Sequence, residues 1–415
     1  MTRFFLIIFI LISSHLFPQK GTLSPYSYYG LGESLFSGTA DQRSMGGLIA
    51  HVDSIHYNLS SPASLADLKL VNYSIGLNYS NRNFTSNNNS SKNETAGIDY
   101  LAVAIPTKFF GFGFGIIPKT AVGYRISIVD EESGVNYVSN FEGSGGINQA
   151  FFSMGVSPLK NLGLGIGVQY NFGAITKVHT RQDDGVDLLS QLNDRTEMRG
   201  MEWNFSTYYK FNLTEFLQLQ LHSIYKPKAK LKSSNSRNIS TFTTFGELRD
   251  TQDVNLYSDG LNKTLTDLPS KFIIGVGIGE PKKWYIGGQW SENRESLDNM
   301  QFSVGGMRFE PSSQLSGGGY FIPEYDSFSN YLKRIVYRLG FVSSKTGMKL
   351  NNKSITNTGI TFGVGLPVNV YSNVNIGIEY GKFGDESESL IEENYFNIRI
   401  GFSLNDRWFI KRKFN

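Results

Sequence analysis

Apolar and polar residues alternate along much of the chain. Between Leu162 and Phe172 every second residue is apolar, and the residues between them are Gly, Gln or Asn. The same alternation recurs from Tyr73, from Ile360 and from Phe396. Because successive side chains of a strand point to opposite faces, each segment predicts a strand with one wholly apolar face. We count about fourteen such segments of roughly 8 to 12 residues, which suits the ~9 to 11 residues of a tilted membrane strand.

The second face of these strands decides between two architectures. A soluble sandwich coats that face with Lys, Glu and Thr, whereas a membrane barrel turns its apolar face to lipid and lines its lumen with small or polar groups. Here Gly, Asn, Gln and Ser dominate the second face, and repeated Gly favours close packing against something inside. We therefore predict an all-β fold, a transmembrane antiparallel β-barrel of about fourteen strands. The aromatic residues suited to the membrane interfaces are Tyr73, Tyr79, Tyr170, Trp203, Phe211, Trp284, Trp290 and Trp408.

The two ends of the chain depart from the strand pattern. Residues 1–19 combine Arg3 with the apolar run Phe4–Ile12 and predict a signal peptide for export. No later apolar run approaches the ~20 residues that a membrane helix needs, so we expect the exported barrel in the cell outer membrane. Residues 405–415 form a basic tail, which predicts either a solvated charge run or a segment that contacts a partner. The basic residues of this tail are Arg407, Lys411, Arg412 and Lys413.

Composition narrows the candidate chemistry. The formal net charge is +3, with basic residues scattered among acidic ones, so we expect no nucleic-acid partner. Cysteine is absent, and of the five histidines only His51 and His56 are close in sequence, at a spacing that predicts no metal site. Neither His179 nor His222 lies in a motif that would direct it at a nucleophile. We expect no metal, no cofactor and no enzymatic activity.

The links between the predicted strands fall into two classes. Short links, such as Leu159–Asn161, Gly279–Lys283 and Tyr371–Asn373, suit tight periplasmic turns. Long polar stretches suit the outside surface, where they offer aromatic residues to a ligand or to a protein partner. These stretches are Asn81–Thr95, Asp130–Gly146, Val178–Arg199, Ser233–Leu268 and Pro311–Asn330.

Turn-forming and small residues dominate the stretch from Ala40 to Leu68, ahead of the first strong strand. It contains "RSMGG", then an isolated Asp, then "YNLSSPASLA". This order resembles the N-terminal plug of the long-chain fatty acid transporter family of outer-membrane barrels, the FadL/TodX type. The chain departs from the family's adjacent Asn-Pro, which is spread out here. The matching residues are Arg43, Ser44, Met45, Gly46, Gly47, Asp53, Asn58, Pro62 and Ala63.

The resemblance implies a domain organisation and a set of gating residues. Residues 20–70 would form a hatch that plugs the lumen, and residues 71–404 would form the barrel. The implied hatch and gating residues are Arg43, Met45, Gly46, Gly47, Asp53, Asn58 and Pro62. Strand alternation independently points five charged side chains into the lumen, where they would hold the hatch in place. These are Glu202, Lys210, Arg338, Glu379 and Arg399.

Two functions are compatible with this picture. The family implies uptake or passage of hydrophobic, fatty-acid-like molecules through a lateral opening of the barrel wall, with outer-membrane lipid as the surroundings. The alternative is a non-transporting accessory or scaffold subunit of an outer-membrane protein secretion or assembly complex, which would bind protein partners through the long extracellular loops. The loop aromatics suit either function. They are Phe242, Phe245, Tyr257, Tyr320, Phe321 and Tyr325.

Overall fold

The architecture is that of a computed structural model of the full chain. It describes residues 21–86, 89–132, 134–295, 307–368, 371–384 and 390–408. The predicted signal peptide, residues 1–19, lies outside the described residues, as do Lys411, Arg412 and Lys413 of the predicted basic tail.

Strands make up most of the described chain. In order they are β1 (Glu33–Ser34), β2 (Val71–Ser86), β3 (Asn89–Pro106), β4 (Phe110–Glu132), β5 (Val135–Leu159), β6 (Leu162–Asp183), β7 (Leu188–Asn212), β8 (Gln218–Lys226), β9 (Ala229–Thr243), β10 (Leu248–Asp253), β11 (Lys263–Leu268), β12 (Lys271–Glu280), β13 (Trp284–Asn293), β14 (Met307–Phe309), β15 (Ser312–Phe321), β16 (Val336–Leu350), β17 (Lys353–Pro367), β18 (Asn373–Gly384) and β19 (Glu392–Asp406). The described residues also contain two short α-helices, α1 (Ala40–Arg43) and α2 (Tyr331–Arg334), and 3-10 turns at Pro25–Tyr28 and Pro62–Ala66. In the described part of the chain, no helix has the length and apolar character required to cross a membrane.

The sheet closes on itself. β19 pairs with β2 along the full length of both strands, from Asp406 opposite Val71 to Glu392 opposite Thr85. Several segments are pieces of one interrupted strand: β8 continues into β9, β10 and β11 into β12, and β14 into β15. Counted this way, fourteen antiparallel strands form the closed barrel, as the alternation predicts. Because β2 and β19 pair with each other, neither strand leaves a row of unpaired backbone N–H and C=O groups facing lipid.

The barrel carries its apolar residues outside and its polar residues inside. On β6, Leu164 is 42% exposed and Tyr170 is 41% exposed, whereas the intervening Gln169 and Asn171 are 4% and 0% exposed. This distribution is the inverse of a soluble sandwich, in which the apolar face is buried. The exposed apolar faces therefore form the surface that contacts lipid.

The long polar stretches are largely strands, which corrects the prediction that they are loops. β4 to β7 run for 23, 25, 22 and 25 residues, well beyond the ~9 to 11 needed to cross a bilayer. Backbone pairing continues through polar sequence because the ladder bonds do not require apolar side chains, so the alternation signal fades while the strand continues. The barrel wall from β4 to β10 thus extends beyond the membrane as a tall sheet.

The stretch Pro311–Asn330 also differs from its prediction as an outside loop. Its first part is β15, so Tyr320 and Phe321 are strand residues. The irregular part, within residues 322–335, connects β15 to β16. Because successive strands run in opposite directions, this connection lies on the same side of the barrel as the short turns at residues 107–109 and 281–283. The length of this connection therefore does not indicate on which side of the membrane it lies.

Candidate functional site

The N-terminal segment, residues 21–70, contacts inward-facing residues around much of the barrel. Near its start, the Ser27 Oγ bonds to the Gly123 backbone of β4. In its middle, α1 packs against β17, β18 and β19. Near its end, the turn Pro62–Ala66 packs against β5 and β6. The candidate site therefore consists of this segment, the wall residues that hold it and the space left between them.

A charged network joins α1 to the barrel wall. The Arg43 Nε donates to the Glu379 Oε2 at 2.9 Å, and its Nη2 donates to the Oε1 at 2.5 Å. The Arg399 Nη1 donates to the same carboxylate at 2.8 Å, and its Nε donates to Asp99 at 3.2 Å. We call Arg43, Asp99, Glu379 and Arg399 the arginine–carboxylate network. Its two cations and two anions balance, and Glu379 is only 1% exposed.

The Met-Gly-Gly stretch after α1 lies directly against the wall. Met45 is 1% exposed, and the Gly46 backbone N–H donates to the Thr361 Oγ1 at 2.8 Å. Gly46 has φ +73°, and a Cβ there would lie 2.2 Å from the Phe341 carbonyl oxygen. Gly47, at φ +76°, accepts a bond from the Gln289 side chain at 3.0 Å. Glycine is required at Gly46 because both its backbone conformation and its distance from the wall exclude a side chain.

The other predicted hatch residues shape the segment's own turns. The Asp53 Oδ1 accepts the Ile55 and His56 backbone N–H groups, and its Oδ2 pairs with the His56 Nδ1 at 2.7 Å. Asn58 donates to the Ile49 carbonyl at 2.8 Å. Pro62 opens the turn whose backbone lies against Gly155, where a Cβ would be 2.5 Å from the Pro62 oxygen.

Two histidines of this segment have opposite pKa shifts. Burial lowers the pKa of His51 to about 4, and the ring contacts Tyr285 and Tyr320 edge-on. Burial also opposes the charged form of His56, but the charge of Asp53 and their hydrogen bond outweigh it and raise the pKa of His56. The same pairing outweighs burial at Asp53 and lowers its pKa. The pairing of Asp53 with His56 therefore favours the charged form of both groups, whereas burial favours the neutral form of His51.

The predicted inward charges have different partners. Glu379 and Arg399 join Arg43, and the Lys210 Nζ bonds to Asp67 of the N-terminal segment at 2.5 Å. Arg338 is 4% exposed and donates to the Asn375 side chain at 2.9 Å. Glu202 contacts no residue of the segment through a hydrogen bond or ion pair among the described residues; it binds Lys119 of β4.

The barrel wall opens between β3 and β4. The sequence pattern does not indicate the position of this opening. Their pairing ends at Leu101 opposite Ile116, although both strands continue. Past this point the edge of β4 pairs instead with β1: Glu33 lies opposite Ala121 and Ser34 opposite Thr120. The N-terminal segment therefore occupies the freed edge. Alternation cannot signal where a ladder ends, because both strands keep the same pattern.

A cavity of about 1190 Å³ lies between the N-terminal segment and the wall and reaches this opening. Residues of both β3 and β4 line it, including Ile98 and Pro118. Its lining carries many charged side chains: Glu33, Arg43, Arg82, Asp99, Lys119, Glu202, Lys226, Lys271, Glu295, Glu310, Lys345 and Arg399. Across the described ranges, no three His, Asp or Glu side chains come together in a way that would bind a metal ion.

Comparisons with known proteins identify one matching family and several solved structures with a similar fold. The family model described as BamG matches residues 1–415. The toluene transporter TodX of Pseudomonas putida superposes with a TM-score of 0.59 at 12% identity, covering 90% of this chain and 100% of that chain. The toluene transporter TbuX of Ralstonia pickettii gives 0.58 at 11% identity, covering 90% and 99%. The monoaromatic hydrocarbon channel CymD gives 0.57 at 11% identity, covering 91% and 100%. No curated protein matches the chain.

Proposed function

The chain belongs to the BamG family, and from that premise and the character of its lumen we propose that it serves as a non-transporting subunit of an outer-membrane protein assembly or secretion complex. The hydrocarbon channels share its fold at 11–12% identity, which is evidence for the fold and not for their function. The observation that carries the proposal is the charged lining of the space inside the barrel.

A site for hydrophobic molecules is normally lined by apolar and aromatic side chains with a few polar groups. The cavity here also has apolar lining residues, such as Phe36, Phe309 and Phe383, but its twelve charged side chains are far more than a few polar groups. Asp99, Arg399 and Lys119 face it close to the wall opening, where an apolar ligand would enter. An apolar ligand in this space would displace water from these ion-paired side chains, and the loss of their hydration is unfavourable. The number of charged side chains in the lining is the reason why we place the subunit function ahead of the passage of apolar molecules.

In this proposal residues 20–70 act as a closed hatch. The arginine–carboxylate network ties α1 to the wall, and the Lys210–Asp67 pair ties the segment's end to β7. Opening would separate the buried Glu379 carboxylate from Arg43 and leave it with Arg399 alone. Removing one partner from a buried ion pair typically costs about 3–5 kcal/mol, so a lasting closed state is favoured.

The tall sheet beyond the membrane offers the surface for protein partners. At the tip that joins β9 to β10, Phe245 is 93% exposed and Leu248 is 58% exposed. Val186 and Leu188, at 46% and 44% exposed, lie at the adjoining end of β7. Exposed apolar residues grouped in this way are typical of protein interaction sites. Catalysis forms no part of the proposed function.

Passage of hydrophobic molecules is the second candidate, and the wall opening favours it. The unpaired lengths of β3 and β4 leave a lateral route from the cavity toward the lipid surface. The fold shared with the toluene transporters is compatible with such a route. For this function the β1 segment would have to leave the edge of β4.

Mass spectrometry of the natively extracted protein separates the two candidates. Mild solubilisation of membranes that contain the tagged chain, followed by native mass analysis, is expected to show the chain with protein subunits in fixed stoichiometry. Recovery of the chain alone, with a bound lipid or other hydrophobic molecule, would instead support passage. Substitution of Phe245 and Leu248 by Ser should weaken the subunit association, while the same change at exposed Val368, at the opposite end of the barrel, serves as the matched control.

A further inference from the structure

We infer that the cavity contains a binding site for a phosphate group, formed by Lys119, Lys226 and Lys271. We call these three residues the lysine cluster. All three line the cavity, on strands β4, β8 and β12. The inference concerns the isolated chain and is independent of the subunit function proposed above.

Two of the lysines are direct neighbours. Lys226 and Lys271 are register partners in the antiparallel ladder of β8 and β12, and both line the cavity. Like charges placed directly opposite each other on one face of a sheet are destabilising. Each of the two also interacts electrostatically with Lys119. The barrel therefore concentrates positive charge at one place inside its wall.

The nearby carboxylates are engaged by other donors. Glu202 binds Lys119, and it also accepts the Gln149 side chain at 3.0 Å and the Asn171 side chain at 2.8 Å. Glu295 accepts the Ser270 backbone N–H at 2.6 Å and the Ser270 hydroxyl at 2.9 Å. Neither forms an ion pair with Lys226 or Lys271 in the described part of the chain.

The positive charges of Lys226 and Lys271 are not neutralised by a carboxylate bonded directly to either side chain in the described part of the chain. The Lys226 Nζ donates to the neutral Gln169 side chain at 3.1 Å. Among the described residues no hydrogen bond or ion pair involves the Lys271 side chain. Subtracting the charge of Glu202 from that of the three lysines leaves two positive charges facing the cavity.

A phosphate fits this surplus better than a carboxylate does. A phosphate monoester carries about −1.5 to −2 charges near neutral pH, whereas a carboxylate carries one. Its oxygens can accept from several ammonium groups at once, and lysine serves as a point-charge ligand for phosphate. The cavity volume of about 1190 Å³ accommodates a free phosphate or the head group of an anionic lipid that enters at the wall opening.

Calorimetric titration of the purified full chain in a nonionic detergent tests the site. The two probes are inorganic phosphate and a short-chain phosphatidic acid. The Lys226→Gln/Lys271→Gln double variant is expected to bind about tenfold more weakly or not at all, because two charge-assisted bonds are lost. The matched control is Lys230→Gln/Lys263→Gln, which removes two exposed lysines of β9 and β11 and should leave binding unchanged.

The outcomes distinguish the sources of the phosphate. Binding of both probes identifies a site for the phosphate group itself, and binding of phosphatidic acid alone identifies a lipid head-group site. The Lys226→Arg/Lys271→Arg variant keeps the charge and should retain binding, and heat-modifiable migration on a gel verifies that each variant is folded. The inference is overturned if neither probe binds the native chain, or if the folded Gln variant binds as tightly as the native chain.

Discussion

The barrel holds two groups of charged side chains that differ in balance. In the arginine–carboxylate network, Arg43 and Arg399 meet Glu379 and Asp99, so every charge has a partner. In the lysine cluster, three cations share the carboxylate of Glu202. Arg43 belongs to α1, and the other members of both groups are inward-facing strand residues; all of them except Glu379 line the same cavity.

The difference teaches that charge inside this barrel serves two purposes. Balanced charge stabilises the contact between the N-terminal segment and the wall, because each group is neutralised without an added ligand. Unbalanced charge lowers stability on its own, so its presence points to something that binds there. Removing a residue from the first group should therefore destabilise the protein, whereas removing Lys226 or Lys271, which have no ion-pair partner among the described residues, should not.

Glu379→Ala is expected to have the largest effect. It leaves Arg43 and Arg399 without their shared carboxylate, and loss of one partner from a buried pair costs about 3–5 kcal/mol. Hydrogen exchange of residues 40–47 should accelerate as the segment detaches more often. The control is Glu310→Ala, which removes an exposed pair with Lys349 and should cost no more than about 1 kcal/mol. Equal exchange in the two variants would show that the network does not hold the segment.

Gly46→Ala is expected to weaken the same contact by about 2–4 kcal/mol. The left-handed backbone costs ~1–2 kcal/mol for a residue with a Cβ, and the clash with Phe341 adds a similar amount. Gly134→Ala is the matched control, because Gly134 also has positive φ, +81°, but a Cβ added there would meet no atom within 4 Å. Exchange at residues 40–47 should increase in Gly46→Ala alone. An increase in both variants would mean that the loss of stability comes from the left-handed backbone conformation and not from the contact between Gly46 and the wall.

Acidification from pH 6.5 to pH 4 should loosen the N-terminal segment through His51. The pKa of His51 falls to about 4 in the folded protein, so the unfolded segment binds the proton more readily and stability declines across this range, by up to about 1 kcal/mol per pH unit. His56, with a raised pKa, contributes its full stabilisation below pH 6.5, and Asp53, with a lowered pKa, contributes above about pH 3.8. His56 therefore changes the slope only near pH 6.5, and Asp53 only near pH 4.

His51→Phe isolates this dependence because it keeps an aromatic ring against Tyr285 and Tyr320 but has no titratable group. Exchange of residues 48–58 measured at pH 6.5, 5.5 and 4.5 should rise with acidity in the native chain and rise less in the variant. Identical slopes would assign the effect to other groups.

Lys271→Gln is expected to have the smallest effect and the opposite sign. Removing one of two like charges that face each other should stabilise the barrel by about 0.2–1 kcal/mol when no anion is present. Thermal unfolding followed by circular dichroism in phosphate-free buffer measures the change, with Lys263→Gln as the control at an exposed site. A clear destabilisation would mean that the Lys271 side chain makes a stabilising contact in the barrel wall. The lysine cluster and the arginine–carboxylate network would then not differ in their effect on stability.

Alternation predicted the barrel because lipid outside and a filled lumen inside impose opposite demands on neighbouring residues. It also placed Glu379 and Arg399 inside, but the contact of Glu379 with Arg43 joins residues 336 positions apart, which spacing does not encode. The Lys226–Lys271 pair depends on strand register, which the Pro227 interruption of this strand makes unreadable from sequence. The strands that continue through the polar stretches are predicted as loops because their scattered apolar residues form no continuous face with period two.

The N-terminal segment can be linked covalently to the wall to test whether it moves in function. Ser34 and Thr120 are register partners at the wall opening, and the chain has no cysteine of its own. A Ser34→Cys/Thr120→Cys variant is therefore suited to a disulfide, because facing strand residues lie at a compatible distance. If the barrel acts as a closed subunit, the oxidised variant should retain its copurifying subunits and support normal outer-membrane protein levels, as the single-cysteine variants do. Loss of function on oxidation, restored by a reducing agent, would show instead that the opening must be free and that molecules pass through it.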